Sequence, residues 1–165
     1  MPDPKSPFPD ASHSHEHCIA SARERFEADA RSTHKRPGVH VQDVLEVLLS
    51  QHRAFGAYEI AAHLAKSGKK LQAVQIYRAL DALIEAGSVH RIESRNAFIA
   101  CHNGEECSSP QFLICESCER VAEIDSKQIE ASVADAASTY QFQLHSRQVE
   151  LSGLCTDCSS QISNS

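Results

Sequence analysis

Tryptophan is absent from the sequence, methionine occurs once, and aromatic residues make up only 5% of it, a profile that fits small helical domains. No apolar run is long enough to cross a bilayer, so no membrane partner is expected. The N-terminus, Met1-Pro2-Asp3-Pro4-Lys5, lacks the apolar core of a signal peptide, which gives the expectation of a cytoplasmic chain with reduced thiols. The pattern H-E-x-x-H of zinc hydrolases is missing, and so is the deaminase pattern H-x-E followed by P-C-x-x-C. No Gly-rich substrate loop accompanies the candidate metal ligands. A zinc hydrolase or deaminase-like enzyme is therefore disfavoured, and no small-molecule substrate is expected.

Net charge is close to zero in one half and lopsided in the other. Residues 1–95 carry 13 Lys/Arg against 12 Asp/Glu, whereas residues 96–165 carry 3 against 10. At 165 residues the chain has room for one or two domains, and the asymmetry points to two halves with different duties. The first half is nearly neutral, so any DNA contact must come from a local patch. The acidic half contains six of the seven cysteines, and acidity is compatible with cation binding.

Four of those cysteines form two knuckles, Cys115-Glu-Ser-Cys118 and Cys155-Thr-Asp-Cys158, with 36 residues between them. Two CxxC pairs match the tetrahedral geometry of a closed, structural four-cysteine zinc site. A redox CxxC comes singly, and disulfides need an oxidising compartment, so duplication in a reducing compartment favours zinc. The separation exceeds that of a usual zinc ribbon. An intervening helix and strand must therefore fold the chain back.

Residues 1–18 are rich in Pro, Ser, Asp and His and read as a disordered tail, whose run His13-Ser14-His15-Glu16-His17-Cys18 could hold a transition metal adventitiously. A helix is expected from Ile19 to Ala30, then a basic loop through Lys35, Arg36, Pro37 and Gly38. Val41, Val44, Leu45, Leu48 and Leu49 define a second helix, and Tyr58, Ile60, Ala61, Leu64 and Ala65 a third, stopped by Gly68. A fourth runs from Gln72 to Ala86 and is stopped by Gly87. Two β-like runs, Ser88–Ile92 and Ala97–Cys101, flank a polar turn at Ser94-Arg95-Asn96. A hairpin directly after a helix-turn-helix is the arrangement of a winged helix. Beyond a linker from His102 to Pro110, a strand is expected over Gln111–Ile114, a helix over Ser126–Ser138 and a strand over Gln141–Leu151, with the knuckles at strand ends.

On the fourth helix, Ile76, Leu80, Leu83 and Ile84 share one face and are expected in the core. Gln75 and Arg78 then point away from it, with Tyr77 on the flank, and these residue types suit base edges and phosphates of a major groove. Lys66, Lys69, Lys70, Arg91 and Arg95 lie nearby in sequence and add positive charge.

The stretch from Ile76-Tyr77-Arg78-Ala79-Leu80 through Gly87-Ser88-Val89-His90-Arg91-Ile92-Glu93-Ser94 closely resembles the recognition helix and wing of the ferric uptake regulator superfamily. The two CxxC pairs sit where that family carries its structural zinc, and the resemblance covers roughly residues 19–158. It implies an α+β fold: an N-terminal winged helix-turn-helix followed by a small α/β dimerisation domain with a four-cysteine zinc site. The expected division is a tail over 1–18, a DNA-binding domain over 19–100, a hinge over 101–110 and a dimerisation domain over 111–165. It also implies a homodimeric, metal-dependent repressor. Where the family usually has Thr-Val-Tyr-Arg, often after proline, this chain has Val74-Gln75-Ile76-Tyr77-Arg78, and where it has Leu-Thr-Pro-Gln-Arg the nearest stretch is Val39-His40-Val41-Gln42-Asp43. Those departures bear on the operator sequence rather than on the fold.

The remaining candidate ligands gather around the linker: His90 on the wing, Cys101, His102 and Cys107 in the hinge, and Glu123 after the first knuckle. The zinc uptake regulator branch, which the chain resembles most, senses metal with a wing His, a hinge Cys, a hinge His and a Glu after the first CxxC. His90, Cys101 and Glu123 match three of these positions. The fourth falls near Cys107 or Ser108, so Cys107 is taken as the ligand, with His102 as the alternative. Imidazole, thiolate and carboxylate together suit Zn²⁺, whereas iron or manganese sites are dominated by imidazole and carboxylate. His145 is a further metal candidate, because the family often has a metal-binding His near the strand before the second CxxC.

The resulting expectation is two Zn²⁺ per chain, one structural and one regulatory. The regulatory ion would close a homodimer onto a palindromic operator in double-stranded DNA and repress zinc-uptake genes. A family member sensing iron or manganese, and a zinc scaffold that binds no DNA, are the other readings.

Overall fold

The computed structural model describes residues 7–8, 19–20, 22–24, 26–28, 38–101 and 109–163. The chain divides into two compact units, Pro9–Glu105 and Glu106–Ser165, the second also taking in Met1–Phe8. The histidine run at 13–17, Cys18, the basic positions Lys35 and Arg36, and the hinge candidates His102 and Cys107 lie outside the described residues.

In the first unit the apolar periodicity becomes three helices. Helix α1 (Val41–Leu49) buries Val41, Val44, Leu45, Leu48 and Leu49 together, and Ala22 and Phe26, from the helical residues before it, join the same core. Helix α2 (Ala57–Lys66) turns Ile60 and Leu64 inward, but Tyr58, expected within its apolar pattern, is 85% exposed. The Glu59 carboxylate accepts the Gly56 backbone N–H at 2.9 Å, satisfying one of the orphan donors at the helix start. After α2 the chain turns at Gly68, whose φ of 82° is in the region that favours glycine.

Helix α3 (Ala73–Glu85) buries Ile76, Ala79, Leu80 and Leu83. Ile84 departs from expectation at 39% exposed. Eight residues carry it about 80° around the helix from Ile76, and Ala79 takes its place on the buried stripe. Strands β1 (Val89–Ile92) and β2 (Ala97–Ala100) pair antiparallel, with Val89 opposite Ala100 and Ile92 opposite Ala97. A 3-10 turn, Glu93–Arg95, joins them, and Asn96 closes it at φ 46°, a conformation asparagine tolerates better than most residues. Phe55 exchanges two backbone hydrogen bonds with Phe98, at 2.8 and 2.9 Å, and so lays a strand-like bridge on the hairpin that no periodicity announced.

The second unit is a three-stranded sheet, β3 (Gln111–Cys115), β4 (Val121–Ile124) and β5 (Val149–Gly153), in the order β4-β3-β5. β4 is antiparallel to β3 and β5 is parallel to it. A parallel return needs a crossover, and helix α4 (Lys127–Thr139) supplies it. Gln111 is the buried polar residue of the sheet, and its carboxamide exchanges two hydrogen bonds with the backbone of Ser126, the N-cap of α4. The strand expected over 141–151 begins only at Val149. Gln141 adopts φ 52° as α4 ends, which breaks the extended run, and the Val149 N–H then bonds Pro110 O at 3.1 Å to start β5. A short helix, α5 (Thr156–Ser163), follows the sheet. No helix among the described residues is long and apolar enough to cross a membrane.

Candidate metal centre and nucleic-acid face

Parallel pairing of β3 and β5 ends with Cys115 opposite Gly153, so the two knuckles emerge side by side from one end of the sheet. The ligand sulfurs of Cys115, Cys118, Cys155 and Cys158 all lie within 4.8 Å of one another. Cys115, Cys155 and Cys158 are buried, and Cys118 is exposed. The Cys155 backbone N–H points at Cys115 Sγ at 3.4 Å, and Cys118 Sγ is 3.8 Å from Cys155 Sγ. None of the five described cysteines is in a disulfide.

The acidities of the four thiols are split. Burial pushes the Cys115 thiol up, but backbone N–H groups of Cys118, Cys155 and Ser117 outweigh it and hold the thiol down at about 6. Cys118 is also lowered against the effect of burial, chiefly by the Arg120 guanidinium. Cys158 is pushed up to about 12: the Ser117 hydrogen bond pulls it down, and the neighbouring Cys155 thiol together with burial outweighs that. Four sulfurs this close cannot all ionise without a cation among them. All-sulfur donation, mutual spacing and blocked acidity fit a tetrahedral Zn²⁺.

Arg120 and Asp157 went unnoticed in the sequence. Arg120 Nε donates to Cys118 Sγ and its Nη2 to Cys155 Sγ, each at 3.2 Å, and Asp157 pairs with the same guanidinium. The available signal was positional: Arg120 stands two residues past the first knuckle, and Asp157 inside the second.

On the wing, His90 pairs with Ile99 across the hairpin, and the Cys101 N–H extends the ladder to Ser88 O at 2.9 Å. A His90 ring nitrogen and Cys101 Sγ lie within 4.8 Å, a pair of donors with the softness zinc favours. Cys101 is buried and His90 half-buried. Glu123 belongs to the second unit, half-buried on β4 opposite Phe112. His145 is exposed in the irregular stretch before β5 and is not among the four gathered sulfurs.

On α3, Arg78 is exposed and Tyr77 is 41% exposed, its ring edge-on to Phe98 at 6.5 Å between centroids. Gln75 is half-buried and already engaged: its carboxamide oxygen accepts the Gln72 N–H at 2.8 Å, and its nitrogen lies 3.4 Å from His40. Val74 adds an exposed apolar group to the outer face. Lys69 is paired with Asp43, and Arg91 with Glu93 and Asn96, which leaves the lysines at 66 and 70 as less encumbered cations near the helix.

Known proteins share this architecture. The zinc uptake regulation protein of Escherichia coli K12 is 31% identical over 117 residues, covering 70% of this chain and 68% of that protein. A solved zinc uptake regulator complexed with zinc and DNA superposes with a TM-score of 0.77 at 26% identity, over 92% of this chain and 99% of the other. The holo form of XcZur gives a TM-score of 0.73 at 27% identity, over 89% and 99%. The model of the ferric uptake regulator family matches residues 27–152, most of the length of the sequence, and the chain belongs to that family.

Proposed function

We infer that the protein is a zinc-responsive DNA-binding repressor of zinc-uptake genes, working as a cytoplasmic homodimer on a palindromic operator. The observation that carries this reading is the placement of metal donors on the wing itself: the His90 nitrogen and Cys101 sulfur, within 4.8 Å, stand directly after the helix that presents Arg78. Relatives named as zinc uptake regulators, one of them complexed with zinc and DNA, support the choice of metal and partner. A thiolate in the donor set disfavours iron and manganese as the sensed metal.

The proposed division of labour has a DNA-binding domain over residues 19–100, a hinge over 101–110 and a dimerisation domain over 111–165. Cys115, Cys118, Cys155 and Cys158 hold a structural Zn²⁺, which contributes cross-linking of the two knuckles. His90 and Cys101 from the first unit, with Glu123 from the second, hold a regulatory Zn²⁺, Cys107 completing the set and His102 its alternative. Ligands drawn from both units bind well in only one arrangement of the hinge, and that differential affinity is what lets metal shift the equilibrium. In that arrangement two α3 helices of a dimer match two half-sites, with Arg78, Tyr77 and Gln75 facing the groove.

The homodimer is supported by surface left bare in one chain. Helix α4 buries no residue, and Tyr140, Phe142, Leu151 and Leu154 are all exposed, with β5 at the sheet edge. A second copy is the natural cover for so much apolar area. Electrophoretic shift with genomic fragments tests the whole reading. Retarded fragments in zinc and none after chelation are expected; retardation insensitive to zinc would remove the sensing role.

A further inference from the structure

One guanidinium touches both zinc knuckles. Arg120 Nε donates to Cys118 Sγ and Nη2 to Cys155 Sγ, both at 3.2 Å, so a single planar group spans a ligand from each CxxC. Asp157, itself inside the second knuckle, pairs with the same group and fixes its plane. The centre of the Phe8 ring lies 5.8 Å from the guanidinium carbon, and Phe8 packs against the buried cysteines. Cys118 is the least buried residue of the four, and so the one that protons, oxidants and competing chelators meet first.

We propose that Arg120 is a positioning residue of the four-cysteine zinc site, clipping the two knuckles together and shielding Cys118, the least buried of the four. The inference rests on the reading of those cysteines as zinc ligands. Hydrogen bonds to ligating atoms orient them and tune their donor strength, and their loss typically costs about 10–100-fold in metal affinity. The fork shape matters. Arginine can reach two sulfurs at fixed spacing, whereas lysine offers a compact charge that cannot reproduce both bonds. Separation of either knuckle from the metal must break an N–H···S bond as well as a metal–sulfur bond.

The test is zinc transfer from the full-length protein to an excess of chromogenic chelator, after readily removed metal has been stripped. R120Q is expected to release the remaining zinc about tenfold or more faster than wild type, with R120K between the two and D157N accelerated less than R120Q. Cobalt-substituted protein in a C101S background supplies a readout that a packing role would not move. Loss of hydrogen bonds to thiolate shifts the sulfur-to-cobalt charge-transfer bands to lower energy in R120Q. Wild-type release rates and unshifted bands in R120Q overturn the clip. Should R120Q fail to fold, D157N decides, and a wild-type rate there overturns it equally. A wild-type chain that holds no zinc overturns the metal assignment and the clip with it; a zinc-holding wild type with an indistinguishable R120Q overturns the clip alone.

Discussion

The backbone N–H of Cys155 points at the sulfur of Cys115 at 3.4 Å, although 40 positions separate the two residues in sequence. The contact follows from β5 lying parallel to β3, which brings the end of one strand to the end of the other. A zinc ion there would lock the ends of a sheet whose own apolar core is small, chiefly Phe112, Ile114, Val121 and Ala122.

Replacing Cys115 or Cys155 by serine should therefore unfold the second unit rather than merely lower its metal affinity. Structural zinc sites contribute on the order of 10 kcal/mol of folding free energy, more than a unit this size keeps in reserve. Analytical ultracentrifugation and thermal melts check this. A monomer with exposed apolar surface is expected, and a stable dimer lacking that zinc would remove the structural role.

His90→Ala and Cys101→Ser should have the opposite profile. Both leave a folded dimer with its four-cysteine zinc, but zinc-dependent operator binding falls by at least about tenfold, a 1.4 kcal/mol loss of coupling. Fluorescence anisotropy with a labelled operator across a zinc titration measures it. An undiminished zinc response in either variant would show that the sensing site lies elsewhere.

Arg78→Ala should weaken DNA binding without altering zinc content. If Arg78 holds a phosphate, the loss is similar on all sequences and the slope of log affinity against log salt falls by about one; if it reads a base, about 1–3 kcal/mol of discrimination disappears at one position. Affinity at several salt concentrations, on matched and mismatched operators, separates these. Unchanged affinity would place the DNA-facing surface off α3.

Glu59→Gln probes the helix-turn-helix by pH. Glu59 is held below its usual 4.5, chiefly by the Gly56 N–H and also by Arg53, with burial opposing. A depressed carboxyl contributes stability that is present above its unfolded value and lost as pH falls through the folded one. Glutamine keeps the capping acceptor and loses only the charge. Wild type should therefore exceed E59Q by a few tenths of a kcal/mol at neutral pH, about 0.5 at most, and the gap should narrow as pH falls below 4.5. Denaturant melts across pH 3–7 would show it, and a gap undiminished between pH 7 and pH 3 would contradict the charged cap.

Periodic apolar residues made the first unit readable. Val44, Leu48, Ile60, Leu64, Ile76 and Leu80 are core in the sequence pattern and core in the fold. Ile84 and Tyr58 failed because spacing alone does not say how wide a buried stripe is. The four-cysteine cluster was legible because thiols in CxxC pairs have few other uses. Strand β4 and helix α5 were not, since Val121-Ala-Glu-Ile124 is too short for a period and Thr156–Ser163 is mostly polar. Gln75 also caps its own helix through the Gln72 N–H, a local bond three residues apart that the apolar pattern does not report. Arg120 was hidden because its partners in the second knuckle lie far away in sequence. Its role comes from a parallel strand pairing that sequence spacing cannot encode.

The most direct measurement is operator binding followed against zinc equivalents per chain, beginning with protein whose four-cysteine site is already filled. The expected result is weak or absent binding at one equivalent and a sharp gain as the second is taken up, reversed by mild chelation. Full binding at one equivalent, with no response to the second, would contradict a regulatory zinc at His90, Cys101 and Glu123.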